Sequence, residues 1–298
     1  MNDDATEAGS PSSEKVQAVK LFEVPNYCEG PVFDHDGFGY ISHGEVITQF
    51  NIDGQRKTWA TTGAPNGHKI LSDGTHLVCD AGQNAVLLLD KNGHLLGAAS
   101  WVCDGKPLRG PNDLTLDPQG GFYFTDPIGS NAEKPTGTVH YVDPQQTTHL
   151  VVQGLAYPNG IVLVPGGKRL LVAESSRNRV IEYPVLEPGK VGEMKVFANL
   201  PSKQGEQIKN MPDGMCLDAK GNLYVAHYGM RQVQQLDPQG KLIASYPGGN
   251  LTTSNVAFGG PRMDQLYVTG GIGEEAGVGG LFRIDLGVKG LVILPEKK

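Results

Sequence analysis

Cysteine is scarce in this chain and has no spacing that would support cysteine chemistry. Four cysteines occur among the 298 residues, and none of them forms a Cys-x-x-Cys pair. Neither a zinc finger nor a disulfide framework is therefore indicated. We expect the cysteines to be buried thiols, because free cysteine behaves as a small apolar side chain.

An excess of basic charge and a long apolar run are also missing. The 25 Lys and Arg face 32 Asp and Glu, giving a net charge of −7, which argues against a nucleic-acid partner. No run approaches the ~18 apolar residues that cross a bilayer, so no membrane partner is expected. The first fourteen residues lack the charged start and apolar stretch of a signal peptide. These absences predict a soluble, cytoplasmic protein with a small-molecule partner. A secreted or periplasmic protein whose signal was removed is the alternative, and the oligomeric state stays open.

Glycine, by contrast, is abundant, with 41 residues, and one pattern recurs six times. Each copy begins with a short polar residue ahead of an apolar run, and two further β-rich runs follow. We call these six polar residues the head residues, and they are Glu29, Asn66, Asn112, Asn159, Asp213 and Asn255. Their intervals of 37, 46, 47, 54 and 42 residues are typical of propeller blades.

The repeats predict an all-β fold, a six-bladed β-propeller with four-stranded antiparallel blades around a central channel. Residues 15–298 are expected to form one domain after a disordered tail at 1–14. Two segments compete for the outer strand of the sixth blade, VKLFEV at 19–24 and GLVIL at 290–294. The first resembles the outer-strand sequence MKVFANL, so we predict that it closes the ring and removes an exposed edge.

The head residues are expected to converge, because the first strand of each propeller blade lines the central axis. Two are carboxylates and four are amides, and such oxygen ligands suit a hard divalent cation. Calcium is the first choice, with Mg²⁺, Mn²⁺ or Zn²⁺ as substitutes; zinc is disfavoured because its sites recruit imidazole or thiolate. Asn-Gly and Asp-Gly are also common turn formers, so ordinary turns are the alternative.

Five motifs, EGPVFD, GPNDLTLDPQGGFYFTDP, PNGIVL, MPDGMCLD and NVAFGG, resemble those of the gluconolactonase and senescence-marker-protein (regucalcin) family. The resemblance runs from residue 16 to the end. It implies a propeller with a divalent cation at one end of the channel. It also implies that the protein hydrolyses sugar lactones or related esters. It also implies that Glu29, Asn159 and Asp213 bind the metal, and that Asp213 transfers a proton. Diisopropylfluorophosphatase-like members of the family imply Asn112 as a fourth ligand.

Substrate contacts are predicted beside this metal site. Sugar-lactone members use an Arg-x-Asn-Asp motif, whereas this chain has Arg109-Gly-Pro-Asn112-Asp113, one residue longer. Asn112 aligns with the substrate-binding Asn, while Arg109 is either a substrate contact or a surface-loop arginine. Asn66 is expected to steer the substrate together with His68, which two-residue spacing places on the same strand face.

His227 is a second catalytic candidate beside Asp213. It ends the second run of the blade that supplies Asp213, so it could relay protons, and a hydrogen-bonded structural role is the alternative. Because propellers host unrelated functions, the functional hypothesis depends on the head residues. They favour a metal-dependent lactonase acting by a polarised carbonyl and an activated water. A phosphotriesterase or arylesterase on the same site and a non-catalytic binding propeller are the alternatives.

Overall fold

The computed structural model describes residues 10–205, 209–273 and 277–292, and it confirms the six-bladed β-propeller. Its six antiparallel sheets are arranged around a central channel. From the axis outward, the strands of blade one are Cys28–Phe33, Gly39–His43, Val46–Phe50 and Arg56–Thr61. Those of blade two are Pro65–Ile70, His76–Asp80, Ala85–Leu89 and Leu95–Ser100. Those of blade three are Leu114–Leu116, Phe122–Asp126, Gly137–Val142 and Thr148–Leu155. Those of blade four are Pro158–Leu163, Arg169–Glu174, Arg179–Glu187 and Lys195–Asn199. Those of blade five are Met211–Leu217, Leu223–Tyr228, Gln232–Leu236 and Leu242–Pro247. Those of blade six are Thr252–Gly259, Gln265–Gly271, Gly279–Asp285 and Ala18–Val24.

Few other elements accompany the blades. Val102–Cys103 and Lys106–Pro107 form a small hairpin, and Lys190–Val191 pairs with the third strand of blade four. Short 3₁₀ helices occupy Ser13–Lys15 and Ser175–Arg177. None of the helices in the described ranges has the length and apolar character that a membrane span needs. The cysteines are free thiols, three of them buried.

The ring closes as the sequence predicts, with a strand from the start of the chain. Ala18–Val24 pairs antiparallel with Gly279–Asp285 and so becomes the outer strand of blade six. In the competing segment, the Leu291 amide donates to the Leu217 carbonyl of blade five at 2.9 Å, and residues 293 and 294 lie outside the described residues. The closing strand therefore satisfies the backbone groups of an edge that would otherwise stay open.

Replacing Phe22 in this closing strand should destabilise the whole ring. The Phe22 side chain is 7% exposed and its ring centroid lies 5.4 Å from that of Phe50 in blade one. We expect Phe22→Ala to lower the free energy of unfolding by about 3–5 kcal/mol, measured by urea denaturation. The control is Val19→Ala in the same strand, 46% exposed, which should cost less than about 1 kcal/mol. Equal costs would mean that the strand does not seal the ring.

The predicted domain limits of 15 and 298 stay a prediction, as does the disordered tail. Of the tail, residues 10–14 are described. The Ser10 hydroxyl accepts a 2.8 Å hydrogen bond from Gln235, and the Pro11 carbonyl accepts one of 3.2 Å from Tyr246. These contacts fasten the start of the described chain to blade five.

Glycine explains how the inner strands come close enough to surround a narrow channel. A Cβ on Gly30 would lie 2.0 Å from the Asn66 carbonyl oxygen, and one on Gly160 would lie 2.3 Å from the Asp213 carbonyl oxygen. In each case the residue after one head residue packs against the backbone of the head residue in the next blade. The glycine in Glu-Gly and Asn-Gly therefore serves blade packing here, and most head residues lie in strands rather than in turns.

Candidate metal centre

The head residues lie at irregularities in the inner strands. In five of the six blades the register between the first and second strands shifts beside the head residue, at Glu29/Val32, Pro65/His68, Pro158/Ile161, Pro212/Met215 and Thr253/Asn255. A β-bulge of this kind inserts an unpaired residue and re-aims its side chain. The repeated bulges help to bring several polar side chains together at one end of the channel.

Hydroxyl groups link neighbouring blades at the level of the head residues. Each comes from the end of a second strand or from the residues beside a head residue, and each donates to a backbone carbonyl of the next blade. The four links are Ser42 to Asn66 at 2.9 Å, Thr125 to Asn159 at 2.8 Å, Ser175 to Pro212 at 2.6 Å and Ser254 to Cys28 at 2.7 Å. The sequence reasoning missed them, although three lie near the ends of the β-rich second runs of the repeat. They hold the head residues in fixed positions around the channel.

Glu29 and Asp213, from blades one and five, are electrostatically coupled in a buried site. Each is 6% exposed. Burial raises the pKa of Glu29 to about 7, against hydrogen bonds from Tyr27 and Asn255 that lower it. Burial likewise raises the pKa of Asp213 well above its usual range, and the Glu29 charge raises it further. The raised pKa values mean that burial and mutual repulsion disfavour two negative charges at this site.

The donor chemistry of this site fits a divalent cation. Asn159 hydrogen-bonds to Asp213, so blades four and five meet there. Within the described residues, Asp213 Oδ1 and Asn66 Oδ1 are buried oxygens without a hydrogen-bond partner. Buried acceptors normally have a donor or a cation. No three His, Cys, Asp or Glu side chains group as a metal site in the described part of the chain, so a cation would also need amide oxygens.

Asn112 is the one member of the predicted quartet that precedes its strand. It stands two residues before Leu114–Leu116 and is partly buried. The backbone amide of Asn112 donates to the Thr125 carbonyl at 2.9 Å, and the backbone carbonyl of Asn112 accepts from the Gly67 amide at 2.8 Å. The backbone at Asn112 is thus fixed between blades two and three. The metal ligands Glu29, Asn112, Asn159 and Asp213 stay a prediction.

Asp113 and Lys69 are site residues that the sequence reasoning missed. Asp113 is 2% exposed, and its carboxylate accepts from the Leu114 and Ile161 amides at 2.8 and 3.4 Å. Its charge raises the pKa of both Glu29 and Asp213, so it lies near them. The Lys69 ammonium is 3.9 Å from Asp113 Oδ1. The sequence signal for Asp113 is that it directly follows a head residue and ends the Arg109-Gly-Pro-Asn112-Asp113 stretch.

Arg109 is held by a neighbouring loop. Its guanidinium donates to the Thr136 carbonyl at 2.6 Å and to the Asp126 carbonyl at 3.1 Å, and its backbone amide donates to the Asp126 carboxylate at 2.9 Å. In this chain, which has one residue more between Arg109 and Asn112 than the family motif, Arg109 thus binds the 126–136 loop. They favour the structural alternative, and substrate binding by Arg109 stays a prediction without a supporting contact.

His68 lies inside the protein rather than beside Asn66 at the channel mouth. It is fully buried, and its Nε2 lies 2.8 Å from Nδ1 of His76, against the rings of Tyr40 and Trp59. The alternation argument that placed it on the face of Asn66 is wrong, because the bulge between Pro65 and His68 changes which face each residue occupies. The predicted contact of His68 with substrate has no geometric support and stays a prediction.

His227 is hydrogen-bonded through both ring nitrogens. Nε2 lies 2.9 Å from Asn178 Oδ1 and Nδ1 lies 3.2 Å from Gln234 Nε2. Burial lowers the pKa of His227 to about 4. A fully buried neutral imidazole with two amide partners favours the structural alternative, and a proton relay by His227 stays a prediction.

Three partly buried tyrosines accompany the carboxylates, Tyr27 and Tyr157 through their charge interactions with Glu29 and Asp213 and Tyr228 through its ring contact with Tyr27. The rings of Tyr27 and Tyr228 are 6.2 Å apart, edge to face. Tyr157 has a left-handed backbone with φ of 59°, and burial, then the charges of Asp213 and Glu29, raise its pKa. A non-glycine residue held in that conformation is strained, and such strain concentrates at functional sites. Tyr27 and Tyr157 each stand two residues before a head residue.

Removing the Tyr27 hydroxyl should weaken cation binding. This hydroxyl donates to Glu29 Oε1 at 2.9 Å and orients the carboxylate. We expect Tyr27→Phe to weaken calcium affinity about 10-fold, as loss of a hydrogen bond to a ligand typically does. Calorimetric titration measures the change. Tyr267→Phe removes a hydroxyl bonded to Gln265 in blade six and is the matched control. Equal affinity in the two variants would show that Tyr27 does not orient a ligand.

Comparisons with known proteins give a family match, similar sequences and similar folds. Residues 28–271 match the family model for the SMP-30/gluconolactonase/LRE-like region. Lactonase drp35 of Staphylococcus saprophyticus is 31% identical over 281 residues, covering 88% of this chain and 84% of the relative. Diisopropyl-fluorophosphatase of Loligo vulgaris is 26% identical over 73% of this chain and 77% of its own. Among solved structures, the calcium-binding protein regucalcin from Agrobacterium tumefaciens has a TM-score of 0.79 at 22% identity, covering 95% of this chain and 97% of that one.

Proposed function

Because the chain belongs to the SMP-30/gluconolactonase/LRE-like family, we propose that it is a divalent-metal-dependent hydrolase that opens a sugar lactone. The observation that carries the proposal is the buried pair of Glu29 and Asp213, with the Asp213 Oδ1 oxygen unpartnered among the described residues. Charged side chains are rarely buried unless they are paired or bind a metal, so this end of the channel is built for positive charge.

The chain's own residues would divide the work at this site. Glu29, Asn112, Asn159 and Asp213 would hold the cation. When bound, the cation would polarise the lactone carbonyl and acidify a neighbouring water. Asp213 would accept the proton of the attacking water at a carboxylate oxygen. The water oxygen bonds to the carbonyl carbon, the ring C–O bond breaks, and the proton held by Asp213 passes to the ring oxygen, which leaves as a hydroxyl. Asn66 would orient the substrate.

Calcium is the cation that this ligand set suits best. Its ligands are oxygens at irregular positions on separate strands, which calcium tolerates better than magnesium does. The similarity to regucalcin, described as a calcium-binding protein, supports the choice. Magnesium or manganese would be weaker substitutes, and zinc would be disfavoured without imidazole or thiolate ligands.

A phosphotriesterase is the second candidate function. The similarity to diisopropyl-fluorophosphatase favours it, because the match extends over 73% of this chain. The same arrangement of acids and amides would serve both reactions, since both need a polarised oxygen on an electrophilic centre. The partly buried tyrosines Tyr27, Tyr157 and Tyr228 would contact either kind of substrate.

Rates on two substrates distinguish these functions. The calcium-loaded protein is assayed with glucono-δ-lactone by a pH indicator and with diisopropyl fluorophosphate by fluoride release, each corrected for spontaneous hydrolysis. We expect the larger kcat/KM for the lactone. A larger value for the phosphoryl fluoride would favour the second function, and no turnover of either by the metal-loaded protein would favour the non-catalytic propeller.

A further inference from the structure

Lys69 places a positive charge inside the channel, under the candidate metal centre. It lies on the inner strand Pro65–Ile70, three residues after Asn66, and its side chain is 16% exposed. It lines the central cavity together with Thr115, Ile161 and Cys216. A lysine is seldom buried unless its ammonium is paired. Here the ammonium donates to the His68 carbonyl at 3.2 Å and lies 3.9 Å from Asp113 Oδ1.

The charges at this end of the channel balance only if Lys69 is included. Glu29, Asp213 and Asp113 are three buried carboxylates, and the charges of Glu29 and Asp113 both raise the pKa of Asp213. A divalent cation held by Glu29 and Asp213 would offset two of these negative charges. The ammonium of Lys69, beside Asp113, offsets the third. Burying an uncompensated charge is costly. Three buried carboxylates therefore need the Lys69 ammonium in addition to a bound divalent cation.

We propose that Lys69 is a positioning residue that sets the cation affinity of the centre by neutralising Asp113. Lys69 can act in this way only if the metal centre of the proposed function exists. Its ammonium lowers the affinity for a divalent cation that three carboxylates would otherwise give. It also keeps the metal-free channel from holding three unbalanced negative charges. If Lys69 were purely structural, bonded to His68 and filling the channel, removing its ammonium would not tighten cation binding.

Calorimetric titration of metal-free protein with CaCl₂ at pH 8 tests this role. Lys69→Met is expected to tighten calcium binding on the order of tenfold, because it removes a positive charge near the cation. Asp113→Asn is expected to weaken binding by a similar factor, because it leaves Lys69 unpaired. The double variant Lys69→Met with Asp113→Asn restores the charge and should bind calcium as the unmodified protein does. Lys69→Arg keeps the charge and is the matched control.

The results separate this role from the proposed function. If the unmodified protein binds no calcium, the proposed function itself fails. If it binds calcium but Lys69→Met weakens binding or leaves it unchanged, or the double variant does not return to the starting affinity, the role of Lys69 is overturned. Lys69→Gln, which can keep a hydrogen bond to the His68 carbonyl, replaces the Met variant if that variant does not fold. Failure of both to fold would make Lys69 a structural residue and overturn the role as well.

Discussion

Asp213→Asn is expected to lower kcat/KM for lactone hydrolysis by about 10³-fold, the scale of a lost general base. The substitution keeps the size of the side chain but removes a negative charge and the proton acceptor of the site. Asp213 also has the Oδ1 oxygen that lacks a hydrogen-bond partner within the described residues, so cation affinity should fall too. Initial rates over a range of calcium concentrations, with bound calcium measured by atomic emission, separate the two effects.

The matched control for this prediction is Asp218→Asn in the same blade. Asp218 is also buried, but its carboxylate accepts from the backbone amides of Lys220 and Asn222 in the turn after the inner strand. We expect this variant to lose stability while the folded fraction keeps normal kcat/KM. An Asp213→Asn variant that retains bound calcium and normal turnover would contradict the role given to Asp213.

Gly160→Ala should cost about 3 kcal/mol of unfolding free energy, at the upper end for an overpacked site. A Cβ there would lie 2.3 Å from the Asp213 carbonyl oxygen and 2.9 Å from the Gly214 Cα, both backbone atoms that cannot rotate away. Blades four and five would have to separate, and this would displace Asn159 and Asp213 from each other. We therefore expect weaker calcium binding as well as a lower urea midpoint.

Gly273→Ala is the control for this prediction, because no atom of the described residues lies within 4 Å of a Cβ at that position. Its effect should stay within about 0.5 kcal/mol, as for a surface substitution. Similar losses for Gly160→Ala and Gly273→Ala would show that the glycine after a head residue has no special packing role.

The fold could be predicted from the sequence because every blade repeats the same local pattern. Six polar residues ahead of apolar runs mark six inner strands, and the closing strand Ala18–Val24 is recognisable by its likeness to another outer strand. Convergence of Glu29 and Asp213 follows from the propeller geometry alone. The comparisons confirm the family that the motifs resemble.

The rest of the site depends on features that periodicity does not encode. The bulge beside Pro65 broke the alternation on which the prediction for His68 relied. Lys69 and Asp113 come from different blades, and only the assembled channel brings them to 3.9 Å. The hydrogen bond from Tyr27 to Glu29 depends on the chain direction before the first inner strand. The first two effects depend on how strands and blades assemble and the third on local backbone geometry, and residue spacing alone encodes none of them.

The most direct test of the metal-dependent lactonase is turnover of glucono-δ-lactone before chelation, after chelation and after calcium is restored. Hydrolysis should disappear when the chelator removes the metal and return when calcium is added in excess. The Asp218→Asn variant should behave in the same way. Lactone hydrolysis that continues at full rate in protein shown to contain no divalent cation would contradict the account.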